Sequence, residues 1–364
     1  MALTAVTPVE PVVLSSDEED EGKLKLSDSP SEMRICLTRP PDKDNELVKV
    51  AARYGAAGIL AVMRKHKDFS WFIVMSLRAV QMCLGPRHES LDVQPVLREC
   101  DPIAFAVEMM ELEMIDEIFQ LMKYFSHVRD VHHHGLAIME ILIMDDPEWR
   151  DEVARKGAVN ILVEIAKQRK DSPSIMCQVM TCMSYLAAED YIEVMLCQHD
   201  ALHYVAYILT EYGSSAELVT RASLALLNMT VCEPHVEELM DKGAILPVLT
   251  VLGRYAKDIH LVIILMGVLA NFSVKDDVRT LLVKEKVLNH IAAAMRLDPS
   301  NAVLQVACLK AVVNYSIDAE HYMIMDSLGI PNLVGQMMVD HTDDPGVQRY
   351  GNYFLGYHTQ CPIM

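Results

Sequence analysis

Aromatic residues, glycine and proline are all scarce in this sequence of 364 residues. Aromatic side chains make up 6% of the chain, which holds 15 Gly and 16 Pro. β-Sandwiches depend on aromatic and β-branched residues, so this composition argues against them. A core built from Leu, Val, Ile, Ala and the 24 Met instead favours helices with short connections.

The sequence also lacks an apolar run that could cross a membrane. The longest runs, such as 261–270, are about half the ~20 residues that a spanning helix needs. Residues 1–20 have no positively charged start and no unbroken apolar stretch, so we expect no signal peptide. Cys361 lies four residues from the end, but the Pro and Ile after it fit a prenylation motif poorly. We therefore expect a cytoplasmic protein, with a cytoskeletal or ciliary location as a narrower alternative.

Paired cysteine motifs and an excess of basic charge are missing as well. The nine Cys are odd in number and include no CxxC pair, which is typical of reduced core residues. A net charge of −19 argues against a nucleic-acid partner, because such a partner requires a basic face.

Part of the acidic excess is concentrated near the N-terminus. The composition of residues 1–42 predicts a disordered acidic tail. Ser15 and Ser16 precede an acidic run and Ser29 precedes a proline, so all three are candidate phosphorylation sites. Added phosphate charge would tune partner binding, and the alternative is a tail that only improves solubility.

No catalytic motif is present. The chain has no nucleotide-binding loop, no GxSxG and no Cys–His pair of plausible spacing, so we expect no enzymatic activity, no catalytic residue and no cofactor. The stretch DDPEWRDE at 145–152 is predicted to begin a helix, because its acids favour the helix dipole and Pro147 suits a first turn.

Four histidines form the most metal-like feature: His127, His132, His133 and His134. Adjacent residues on a helix point about 100° apart, and no carboxylate or Cys completes a spaced ligand set. We therefore expect no metal site. A metal-dependent or nucleotide-binding regulator centred on these histidines is an alternative, and it would hold stoichiometric metal.

The main positive feature is a repeat of 43 residues. Asn228, Asn271 and Asn314 are separated by this interval, and each begins an N-x-S/T sequon. Without a secretory route these sequons are not glycosylated, so their spacing has another cause. A glycine or polar residue recurs at the same interval, at Gly157, Asp200, Gly243, Lys286 and Gly329.

Apolar residues flank each of these markers in the same register. They lie four residues before the marker (Val153, Leu196, Leu239, Leu282, Met325) and five after it (Leu162, Val205, Val248, Ile291, Val334). Apolar spacing predicts a short helix, a Gly or polar corner and two longer helices per unit, as at 235–242, 246–255 and 259–274. No such unit buries its apolar face alone, so neighbouring units must stack.

This unit resembles the armadillo repeat. The resemblance rests on the corner KGAILPVL at 242–249 and on the third-helix sequences ALLNMT, VLANFS and VVNYS. HEAT repeats are the nearest alternative, but they lack the Gly corner and the Asn. The resemblance implies an all-α, right-handed α-solenoid of about seven armadillo-like repeats. We place the array at 43–364, with approximate units 43–99, 100–147, 148–190, 191–233, 234–276, 277–319 and 320–364.

The resemblance also implies a binding site. In armadillo arrays the third helices line a concave groove, where an Asn amide can pair with the backbone of an extended peptide. The residues implied for this partner-binding groove are Asn228, Asn271, Asn314, Tyr185, Arg221, Lys310, Gln178 and Thr181. The alternative is that each Asn bonds a neighbouring helix and holds the repeats in register.

These residues predict a non-enzymatic scaffold or adaptor that binds protein segments in the groove. Leu224, Gly267 and Lys310 stand where nuclear-import receptors of this family carry Trp, which argues against nuclear import. A structural role in a cytoskeletal or ciliary assembly rests on analogy of fold. The alternative is a chaperone-like or small-GTPase-regulating protein that acts on a folded client. The oligomeric state is not predicted.

Overall fold

The computed structural model describes residues 45–85, 101–231 and 233–359, and every regular element in these ranges is helical. The predicted tail at 1–42, with Ser15, Ser16 and Ser29, lies outside the described residues. The chain divides into two compact units, the first ending at Ile161 and the second beginning at Leu162. Within the described ranges no helix is both long enough and apolar enough to span a bilayer.

Among the described residues, six helices lie wholly in the first unit. They are α1 (Asn45–Lys65), α2 (Ser70–Leu84), α3 (Pro102–Glu111), α4 (Met114–Tyr124), α5 (Arg129–Ile143) and α6 (Pro147–Arg155). Helix α2 packs against both α1 and α5. Helix α1 has a kink at Gly55, where φ is 64°, and the carboxylate of Glu108 accepts the backbone N–H of Ala56 at 2.9 Å just after the kink.

The next helix, α7 (Ala158–Arg169), contains the division between the units, and thirteen more follow it in the part of the second unit that the structure describes. They are α8 (Pro173–Leu186), α9 (Asp190–Gln198), α10 (Ala201–Glu211), α11 (Ala216–Met229), α12 (Glu233–Asp241), α13 (Ile245–Arg254), α14 (Ile259–Phe272), α15 (Asp276–Lys284), α16 (Val287–Leu297), α17 (Ala302–Tyr315), α18 (Ala319–Ser327), α19 (Ile330–Asp340) and α20 (Pro345–Thr359). A short first helix, a second helix and a longer third helix alternate through this series, as the sequence predicts. The predicted helix at 246–255 is α13, one residue earlier at each end.

The 43-residue markers are the corners between the first and second helix of each repeat. Backbone φ is positive at all five: 94° at Gly157, 63° at Asp200, 68° at Gly243, 65° at Lys286 and 72° at Gly329. L-residues rarely adopt this left-handed conformation, whereas glycine adopts it readily. The recurrence of glycine at this position therefore has a local steric cause.

The predicted apolar positions form the core between these helices. All ten residues four before and five after the markers have a relative exposure of 0%. In the second unit each third helix packs directly on the next, in the order α8, α11, α14, α17 and α20. The repeats therefore share a continuous core along this layer, which a single repeat could not form.

Side-chain caps define where several helices begin. Asp146 Oδ1 accepts the N–H of Glu148 at 2.8 Å, and Pro147 occupies the first turn of α6, which confirms the helix start predicted at 145–152. Asp258 and Asn301 make equivalent caps, at 3.1 Å each, at the starts of the third helices α14 and α17. A cap of this type satisfies backbone donors that the first helical turn leaves unpaired.

The cysteines in the described ranges are thiols, as expected for core residues. They are Cys83, Cys177, Cys182, Cys197 and Cys308. Four of the five are buried, and Cys177 is partly exposed.

Candidate functional site

The repeated asparagines lie near the C-terminal ends of α11, α14 and α17, where each bonds to the preceding repeat. Nδ2 of Asn228 donates to the carbonyl oxygen of Ser184 at 2.8 Å. Nδ2 of Asn271 donates to that of Leu227 at 3.0 Å, and Nδ2 of Asn314 donates to that of Ala270 at 3.0 Å. Each acceptor lies 44 residues before its donor. The amide groups therefore tie consecutive third helices together.

These bonds give the asparagines a role in holding the repeats in register, which is the alternative to binding a ligand. Asn271 makes a second such contact, at 3.2 Å, with the hydroxyl oxygen of Thr230. All three side chains are half-buried rather than fully exposed. In the described ranges no hydrogen bond reaches their Oδ1 atoms, so each asparagine keeps one acceptor that a partner could use.

The remaining predicted groove residues differ in accessibility. Thr181 is buried, with a relative exposure of 3%, and its hydroxyl donates to the carbonyl oxygen of Cys177 at 2.9 Å, so this structure leaves little of it accessible to a partner. Gln178, Tyr185 and Arg221 are half-buried.

Lys310 is exposed, and its ammonium nitrogen lies 5.6 Å from the centre of the Tyr350 ring. This distance is within the range of a cation–π interaction between α17 and α20. The Lys310 ammonium therefore interacts with helix α20.

One side of α11, α14 and α17 is partly exposed to solvent, and we call it the third-helix face. On each helix the face comprises five positions. These are the asparagine, the residue three positions after it, and the residues one, four and eight positions before it, which share one side of a helix. These residues are Thr220, Leu224, Leu227, Asn228, Val231, Ile263, Gly267, Ala270, Asn271, Val274, Val306, Lys310, Val313, Asn314 and Ile317. The face is mainly aliphatic, with Lys310 as its charged residue.

The exposed aliphatic part of this face is a row of three β-branched residues just past the helix ends. Relative exposure is 69% at Val231, 60% at Val274 and 58% at Ile317. Sequence reasoning missed these residues, although their 43-residue spacing is visible in the chain. Their position three residues after each asparagine was the signal that could have identified them.

The histidines singled out in the sequence are bonded in different directions. His132 is buried, and its Nε2 lies 3.1 Å from the carbonyl oxygen of Met122. Nδ1 of His134 lies 2.8 Å from Oε1 of Gln81. The rings of His133 and His134 contact each other edge to face, with centroids 5.0 Å apart. His132 and His134 therefore each have a polar partner that belongs to the protein fold.

No model of a known protein family matches this chain, and no curated protein sequence matches it either. Solved structures do match its fold. A designed armadillo repeat protein aligns with a TM-score of 0.58 and 15% identity over 66% of this chain and 98% of its own. Another designed armadillo repeat protein, in complex with the peptide (KR)4, aligns with a TM-score of 0.56 and 14% identity over 66% of this chain and 98% of its own.

A natural protein gives a comparable alignment. A structure from work on a phosphorylation switch in the interaction between cadherin and beta-catenin aligns with a TM-score of 0.62 and 14% identity. The alignment covers 85% of this chain and 56% of that one. With the left-handed corners and three-helix units described above, these alignments confirm the predicted fold class: the chain has an all-α, armadillo-type repeat fold.

Proposed function

We propose that this chain is a non-enzymatic scaffold that binds a segment of a partner protein along the third-helix face. The observation that carries the proposal is the row of Val231, Val274 and Ile317, exposed at equivalent places in three consecutive repeats. Exposed aliphatic side chains set out at a regular interval mark a surface that gains free energy when a partner covers it. The peptide complex of a designed armadillo repeat protein supports the same mode of binding.

The chemistry of the face favours an uncharged, aliphatic partner segment. Leu224, Leu227 and Val313 extend the row along their helices, and Lys310 adds a single positive charge. A basic peptide such as (KR)4, the ligand of the designed protein, would find no acidic residue among these fifteen residues. We therefore expect apolar side chains of the partner to contact the row, in a segment without clustered charge.

The asparagines contribute acceptors rather than donors in this proposal. Their Nδ2 atoms are already bonded to the preceding helix, so a partner backbone can reach them only through Oδ1. Partner N–H groups would pair with these oxygens whatever the partner sequence. The array would span 43–364 in the seven predicted units, in a cytoplasmic protein that serves a larger assembly.

Charge substitution in the exposed row tests the proposal. The variant Val231→Asp/Val274→Asp/Ile317→Asp places three carboxylates on the face without removing a buried group. A matched control, Ile103→Asp/Met323→Asp/Val339→Asp, changes side chains that are 77%, 57% and 67% exposed and lie off the face. Circular dichroism first establishes that both variants keep the helix content and unfolding transition of the unmodified chain.

Partners are then captured by proximity labelling in cells that express each form, and affinities are measured with a purified partner. An aliphatic side chain buried at an interface contributes about 1–3 kcal/mol, so the face variant should lower affinity by about 100-fold or more. The control should bind as the unmodified chain does. Equal binding by both variants, or equal loss from both, would show that partners are bound elsewhere.

A further inference from the structure

Glu193, Cys197 and His235 converge within the second unit. Glu193 and Cys197 are four residues apart on α9, which places them on one face of that helix. His235 belongs to α12, the first helix of the next repeat, and its Nδ1 lies 2.8 Å from Oε1 of Glu193. One carboxylate oxygen, the thiol sulfur and one imidazole nitrogen all lie within 4.8 Å of one another.

The cluster is almost entirely removed from solvent. Relative exposure is 2% for Glu193 and 5% for Cys197, and 12% for the side chain of His235. A carboxylate taken out of water is retained only where positive charge or hydrogen-bond donors compensate for its lost hydration. The buried carboxylate of Glu193 therefore requires such compensation, and the contact with His235 at 2.8 Å supplies part of it.

The same register position holds an arginine in two other repeats, whereas Val236 and Tyr322 occupy it in two more. Arg150 and Arg279 are the residues that stand at the place of Glu193 in two other repeats, in steps of 43. Arg150 donates to the carbonyl oxygen of Met144 at 2.9 Å. Arg279 donates to that of Ser273, at the same place in its own repeat, at 2.8 Å.

These guanidinium groups neutralise the carbonyl end of the preceding third helix, which attracts positive charge. Glu193 brings a negative charge to the equivalent place after α8. Glu193 is therefore negatively charged at a position where the helix dipole favours positive charge. A bound cation would supply the positive charge that the arginines bring to this position in two of the other repeats.

We propose that Glu193, Cys197 and His235 form a site for one divalent transition-metal ion of the Zn2+ class. Carboxylate oxygen, cysteine sulfur and imidazole nitrogen are the three ligand types that Zn2+ takes in proteins. As the sulfur binds, its proton passes to solvent and the thiolate becomes the ligand. The site lies on the first helices and does not depend on the third-helix face.

The geometry fits such an ion with small side-chain movements. Zn2+ lies about 2.0–2.3 Å from its ligands, so the ligand atoms of a tetrahedral site are about 3.4 Å apart. The 2.8 Å contact between His235 and Glu193 would lengthen, and the wider separations, of up to 4.8 Å, would shorten. Both changes are on the order of 1 Å, which rotation about side-chain torsions can supply. Water would take the fourth position.

Binding would link two consecutive repeats. Glu193 and Cys197 lie on α9 and His235 on α12, so one ion would hold the first helices of both repeats. An ion that binds the folded but not the unfolded chain adds directly to folding stability. We therefore expect Zn2+ to raise the unfolding temperature of the full chain.

The test uses the full chain, reduced, stripped of metal with a chelator and then titrated with Zn2+ and, separately, with Co2+. Zn2+ is titrated in competition with a chromophoric chelator, and the absorption of the Co2+ complex reports thiolate ligation through its charge-transfer band. The variants are Cys197→Ala and Glu193→Gln, the second of which keeps the size and shape of the side chain. Cys308→Ala, at a cysteine that is also buried, is the matched control.

We expect one ion per chain, a thiolate charge-transfer band with Co2+, and a rise in unfolding temperature with Zn2+. Cys197→Ala should lose the band. Glu193→Gln should weaken Zn2+ binding by more than the ~10–100-fold that loss of an outer-shell partner costs, and Cys308→Ala should bind as the unmodified chain does. If the unmodified chain takes up no stoichiometric ion, or if the Co2+ band survives Cys197→Ala, the proposal is wrong. If Cys197→Ala does not fold, unchanged Zn2+ affinity in Glu193→Gln overturns it equally.

Discussion

Replacing Gly243 by alanine and Lys286 by glycine should change the stability of the second unit in opposite directions. Both residues occupy the left-handed corner between a first and a second helix, with φ of 68° and 65°. A Cβ added at Gly243 would meet no atom within 4 Å, so the substitution introduces no clash. Lys286 is exposed and forms no ion pair among the described residues, so its removal costs no contact of that kind.

The magnitude follows from the backbone alone. A left-handed conformation costs an L-residue about 1–2 kcal/mol relative to a right-handed one. Glycine loses about 0.4–1 kcal/mol more conformational entropy on folding, which offsets part of that difference. We therefore expect Gly243→Ala to lower the free energy of unfolding by about 0.5–1 kcal/mol and Lys286→Gly to raise it by a similar amount.

Urea unfolding followed by far-ultraviolet circular dichroism measures both changes against the unmodified chain. Gly335→Ala is the matched control, because Gly335 lies inside α19 and a Cβ there also meets nothing within 4 Å. At a helical position the same substitution should stabilise by about 0.5–1 kcal/mol. If Gly243→Ala and Gly335→Ala shift stability in the same direction, the explanation of the corner by its positive φ is refuted.

Three further predictions concern single contacts. Asn271→Ala should destabilise the second unit by about 1 kcal/mol more than Asn314→Ala, because Nδ2 of Asn271 donates two hydrogen bonds and Nδ2 of Asn314 donates one. Equal losses of unfolding free energy in urea would contradict this prediction. Burial raises the pKa of Cys308 to about 12, so iodoacetamide near neutral pH should label this thiol only in the urea-unfolded chain. Mass spectrometry detects the label, and labelling of the folded chain would refute the burial of Cys308. The hydrogen bond from Lys156 to Asp116 raises the pKa of the lysine above its ordinary 10.5. The pair therefore stabilises the first unit below pH 10.5, and this stabilisation is lost as the pH rises through the pKa that Lys156 has in the folded chain. Asp116→Asn should therefore destabilise the chain near neutral pH and have progressively less effect above 10.5, and a pH-independent loss would rule out this charge interaction.

Local features of the fold could be predicted from the sequence because each depends on neighbouring residues. A corner at positive φ selects glycine, so Gly157, Gly243 and Gly329 reveal the repeat directly. A helix start such as 145–152 is recognisable because its cap and its proline lie within one turn. The buried positions that flank each corner follow from helical periodicity and from the requirement that repeats stack.

The role of the asparagines could not be predicted in the same way. Asn228 can face a ligand or the preceding helix, and both fit the same 43-residue spacing. The choice depends on how closely consecutive third helices approach, which brings its Nδ2 to 2.8 Å from the Ser184 carbonyl oxygen. Thr181 and Lys310 share one register position, yet the first is buried and the second exposed, because exposure depends on the helices packed around each residue.

By itself, the sequence determined the three-helix repeat, its corners and its armadillo-type fold, since these follow from backbone conformation and from apolar periodicity within about 40 residues. Only the tertiary structure decided which side chains meet across repeats. Within their own helices, nothing marks Glu193, Cys197 and His235 as a cluster. The aliphatic row is visible in the sequence as a regular spacing, but the sequence does not show that its side chains are exposed. Both depend on the packing of one repeat against the next, because that packing sets the distance between residues 42 or 43 positions apart.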